Sequence, residues 1–136
     1  MPEELRLYLK ERFGVQGPLS PGRFEAELSK RVGSPARRAP LLKAWRAYLG
    51  GEGREAVRSF YREVLKVPKG EALVYGMHLP FLEFYAKELP SRVEGRVLEV
   101  GPFTGALVGF LQRKRPDLEW HALEAVSYTH PTLPTN

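Results

Sequence analysis

The sequence predicts a mainly α-helical N-terminal region, residues 1–92, followed by the opening strand–helix–strand of an α/β domain, residues 93–125. Three observations predict this. Between Pro2 and Leu89, apolar residues recur at helical spacing in five stretches bounded by Gly, Pro or Ser-Pro. Near Arg96 the pattern changes: Val97, Leu98 and Val100 form a short apolar run of buried-strand type, ending at Gly101. After a turn over residues 101–105, helical spacing returns from Ala106 to Arg115, and Trp120, Ala122 and Leu123 form a second short strand that ends at Glu124.

Each element has its own signals. Pro2, Glu3 and Glu4 suit a helix start, and Gly14 suits its end after Phe13. Ser20-Pro21 supplies a cap and a first helical residue; Phe24, Leu28 and Val32 follow at intervals of four, and Gly33 closes the helix. Ser34-Pro35 opens the next turn, and Leu41, Leu42, Trp45, Tyr48 and Leu49 form an apolar face up to Gly50-Gly51. A fourth helix over residues 53–66 presents Val57, Phe60, Tyr61, Val64 and Leu65. Residues 71–77 are ambiguous, because Leu73, Val74 and Tyr75 suit a short strand or one helical turn. The fifth helix, residues 79–89, turns Leu82, Tyr85, Ala86 and Leu89 inward, and Pro90-Ser91 ends it.

The chain has 136 residues, 43% hydrophobic and 27% charged, which is the composition of a folded domain. It has no cysteine, which excludes a disulfide framework and a thiolate metal site and makes the cytoplasm the expected compartment. No apolar run reaches the roughly 20 residues of a membrane span. The net charge of +5 permits a nucleic-acid partner without demanding one; Lys and Arg are spread among glutamates along the helices, which is usual for solvated faces. Trp45, Tyr48, Phe60, Tyr61, Phe81, Phe84 and Tyr85 read as core aromatics, not as a ligand box. Arg113, Lys114 and Arg115 stand at a helix C-terminus, where the dipole favours cations without any ligand. His78 and His121 lack partners at metal-ligand spacing and read as structural.

The turn carries the chemistry. Glycine permits a sharp reversal and lets a ligand approach the main chain. The following helix start offers N–H groups and a partial positive charge. An acid about 20 residues further on, at the end of the next strand, can accept hydrogen bonds from ribose hydroxyls, and Glu124 stands there relative to Gly105.

With Glu99 two residues before Gly101, the stretch VLEVGPFTG resembles the first motif of the class I, Rossmann-like S-adenosylmethionine-dependent methyltransferases, an acid followed by alternating glycines. Glu99, Gly101 and Gly105 fall in register with the acid and the first and third glycines. The resemblance implies a truncated Rossmann-like unit with S-adenosyl-L-methionine as cofactor. Glu99 would help to hold its methionine end, Gly101 and Gly105 would shape the loop beneath it, and Glu124 would bind its ribose. Phe103 replaces the middle glycine, where a side chain either swings away from the cofactor or narrows its pocket. Two other readings stay open: a helical interaction module with a structural β-α-β appendage, and a fragment of an NAD(P)-dependent oxidoreductase. The dinucleotide pattern G-x-G-x-x-G/A is met at its ends by Gly101 and Ala106 and broken in its middle by Phe103; the acid at Glu99 also speaks against it. No residue is marked as catalytic, and neither the methyl acceptor nor the oligomeric state is legible.

Residues 126–136, VSYTHPTLPTN, contain no charged side chain and three of the four threonines. They resemble a translated transposase-adapter peptide. The expectation is that this tail is foreign, that the native chain continues differently after about Ala125, and that the fragment as given does not transfer methyl groups.

Overall fold

The computed structural model describes residues 2–101 and 103–123; Glu124 and the tail lie outside them. Six helices come first: α1 Pro2–Phe13, α2 Pro21–Arg31, α3 Pro35–Leu49, α4 Arg54–Val64, α5 Gly70–Met77 and α6 Leu79–Glu88. A 3₁₀ turn at Leu89–Ser91 leads to β1 Arg96–Val100, α7 Ala106–Lys114 and β2 Glu119–Leu123. The two strands pair in parallel, with Val97 opposite Trp120 and Val100 opposite Leu123.

The expected caps and stops shape the helices. The Ser20 side chain accepts the Arg23 N–H at 3.3 Å, ahead of Pro21 at the first helical position. Gly14 and Gly51 take left-handed backbone just past α1 and α3. α3 begins directly at Pro35 and carries Pro40 inside its second turn.

α2, α3 and α4 pack around Phe24, Trp45 and Phe60, all buried, with ring centres 4.5 to 5.9 Å apart. Removing one such aromatic costs on the order of 3–5 kcal/mol. This core is continuous with that of the α/β unit: Tyr8, Phe103, Phe110, Leu111 and Trp120 belong to the same cluster. Arg6 of α1 pairs with Glu83 of α6 at 2.7 Å, and Lys114 of α7 pairs with Glu4 of α1.

The ambiguous stretch is a helix. α5 is buried nearly all round, including Leu73, Val74 and Tyr75, so its apolar residues show no one-sided period. A lone strand at that place would leave its backbone polar groups unpaired among helices, whereas a helix satisfies them internally. Gly70 makes the tight α4–α5 junction possible: a side chain there would meet the Val64 carbonyl oxygen at 2.0 Å.

Two expectations are corrected. Phe81, Phe84 and Tyr85 are exposed, by 67%, 59% and 44%. α6 faces α1, α5 and α7 through Leu79, Ala86 and partly Leu82, so these three rings form a second apolar stripe that points outward. β1 is not a doubly buried strand either. α7 covers the side bearing Val97, Glu99 and Trp120, while Leu98, Val100 and Leu123 on the opposite side are more than half exposed.

Candidate cofactor-binding loop

The loop leaves β1 at its C-terminal end, where ligands of parallel α/β sheets bind. Glu99 is half-buried near the end of the strand. The Gly101 N–H extends the ladder to the Leu123 carbonyl at 2.8 Å. Gly101 has φ +74°, and a side chain built on it would meet open space, so the main chain there is approachable. Gly105 has φ +86° and caps α7. Gly101, Phe103 and Gly105 thus lie in the loop and Glu99 in the strand end that leads into it; Glu124 lies outside the described residues.

Phe103 also adopts left-handed backbone, φ +57°, which a bulky side chain seldom tolerates. Its ring is buried among the helices, 5.1 Å from Tyr61 of α4 and 5.4 Å from Tyr75 of α5. The side chain at the position of the missing glycine turns inward, toward α4 and α5.

Tyr75 is the residue that the sequence did not reveal. Its hydroxyl oxygen accepts the Thr104 and Ala106 N–H groups, each at 3.1 Å, and lies 2.6 Å from the Thr104 hydroxyl. A side chain of α5 therefore serves one amide of the expected ligand loop, Thr104, and the first amide of α7, Ala106. Burial raises the Tyr75 phenol well above the ordinary tyrosine value, although these hydrogen bonds pull the other way. No local pattern announces the contact, because the partners are 29 and 31 positions apart.

Arg113 lies over the Tyr8 ring at 4.7 Å, and Arg115 grips Asp117 at 2.9 Å. His121 pairs with Glu119, and His78 sits half-buried at the α5–α6 junction, where burial lowers its pKa. Among the described residues no cluster of His, Asp and Glu could hold a metal, and no helix is long and apolar enough to cross a membrane. Compared with known proteins, the chain matches no family, no curated protein and no solved structure.

Proposed function

We propose that this chain opens a class I S-adenosylmethionine-dependent methyltransferase, with the helical region packed behind its cofactor loop. The observation that carries the reading is the use of the loop's amides. A dinucleotide's pyrophosphate sits against the N–H groups of the first turn of its helix. Here the Thr104 and Ala106 amides are already bound to the Tyr75 phenol. This argues against a pyrophosphate and for a ligand held from the strand end by a carboxylate and glycine backbone. Glu99, Gly101 and Gly105 fit that role: an acid stands two residues before a glycine whose outer side is open. Phe103 does not compete, since its ring is packed into the helices.

Such a cofactor supplies an electrophilic methyl group on a sulfonium. The work of this chain's residues is to fix the loop and exclude water behind it, which is positioning rather than proton transfer. The exposed Leu98, Val100 and Leu123 support the reading of an incomplete sheet, because a parallel pair is normally covered on both faces.

Calorimetric titration of the protein tests the proposal. S-adenosylhomocysteine should bind and NAD and NADP should not. Gly101→Val, which places a β-branched residue at φ +74°, should abolish that binding. Binding of a dinucleotide instead, or undiminished affinity in Gly101→Val, would overturn it.

A further inference from the structure

The positive charge is concentrated in the middle helices. Residues 23–69 carry twelve of the chain's 21 Lys and Arg but only five of its 16 Asp and Glu. α3 contains Arg37, Arg38, Lys43 and Arg46 and no acid. Two clefts of about 410 and 480 Å³ open on this side and adjoin at Arg31. Arg31, Arg37 and Lys66 line the first, and Arg23 and Arg31 line the second.

The fold does not need all of these cations. Lys66 pairs with Glu63 at 3.1 Å and Arg31 reaches Glu27 at 3.8 Å. Among the described residues, Arg23 and Arg37 have no carboxylate within ion-pair distance. Both are exposed and stand in first helical turns that contain no acid, where the helix dipole disfavours positive charge. The helix dipole gives their placement no support, and no ion pair offsets it among the described residues.

We propose that this face binds the phosphate backbone of double-helical nucleic acid. Eight of the twelve cations are arginines, whose planar fork matches a phosphate in two-pronged hydrogen bonding. A stacked single strand is disfavoured because, among the described residues, the large exposed aromatic rings, Phe81, Phe84 and Tyr85, are all on α6. A lipid surface is disfavoured because between residues 23 and 69 the one large exposed apolar side chain is Leu49, at the far end of α3. The inference does not rest on methyl transfer.

The test is fluorescence anisotropy of the full chain with short labelled RNA and DNA duplexes and a single strand, from low to physiological salt, alongside sedimentation with phosphatidylserine vesicles. The wild type should bind duplex with log affinity falling linearly in log salt. Arg23→Glu/Arg37→Glu/Lys66→Glu should lose at least about tenfold in affinity, with a salt slope smaller by about 2 to 3. The acids at Arg23 and Arg37 enter first turns that favour them, so the triple variant should melt no lower than the wild type. If it fails to fold, the corresponding Gln triple variant takes its place, with a smaller loss in the same direction. Binding to one kind of duplex alone would support the proposal and name the source. Preference for the single strand, binding to vesicles but not to duplex, or affinity within twofold of wild type in the folded variant would overturn it.

Discussion

Replacing Tyr75 by Phe removes one oxygen and leaves the ring. That oxygen accepts the Ala106 and Thr104 amides and bonds the Thr104 hydroxyl. Ala106 is fully buried, so water cannot stand in for the phenol at its N–H. An orphaned buried donor costs about 1–3 kcal/mol. Thr104 is half-buried and recovers part of its loss from solvent, which leaves about 0.5–1.5 kcal/mol there. The sum, about 2–4 kcal/mol, is a large share of the 5–15 kcal/mol typical of a domain. Urea unfolding should show a lower midpoint with an unchanged slope. Amide exchange at Thr104 and Ala106 should accelerate. There is also an alkaline signature. Since burial raises the folded phenol's pKa, the neutral group's contribution is complete below the unfolded value of about 10 and is lost as pH rises toward the folded value. Wild-type stability should therefore fall more steeply than that of Tyr75→Phe above pH about 10. A loss below about 0.5 kcal/mol with unchanged protection at both amides would refute the account.

Three further outcomes follow from the packing. Gly70→Ala, usually favourable in a helix, should destabilise by about 2 kcal/mol or more, because the new methyl meets the Val64 carbonyl; thermal melting checks it. Phe103→Gly should destabilise by about 1–3 kcal/mol in urea unfolding even though it relieves left-handed strain, and a stabilised variant would contradict the burial argument. Burial lowers the pKa of His78, so its contribution is present above the unfolded value of about 6.5 and is lost as pH falls through the folded one. Melting temperature should therefore drop between neutral and mildly acidic pH, and less so in His78→Gln.

The legible parts of the fold were those with a period and a boundary. α2 has Ser20-Pro21 before it and Phe24 and Leu28 along one side, and it forms where those signals place it. α5 has no period because it is covered on all sides, so its apolar run was equally strand-like. Phe81, Phe84 and Tyr85 share helical spacing with true core residues, and spacing cannot distinguish the face that meets α1 and α7 from the one that meets solvent. The glycine loop was readable at Gly101 and Gly105, whose positive φ is a local requirement. Tyr75 and Tyr61 were not readable as parts of it, because their contacts with the loop are tertiary.

Those contacts also explain how the loop tolerates Phe103. Left-handed backbone at a bulky residue costs about 1–2 kcal/mol. Burying the ring returns about 1.5–3 kcal/mol, and its contacts with Tyr61 and Tyr75 add about 0.5–1.5 kcal/mol each. Packing therefore outweighs strain, and the conformation that a middle glycine would permit is here enforced by aromatic rings on α4 and α5. The phenol of Tyr75 then fixes the Thr104 and Ala106 amides. The helical region and the loop consequently set each other's geometry. A substitution at Tyr61 or Tyr75 reaches the loop directly, and a ligand that shifts Gly101 or Gly105 must work against the core of the helices.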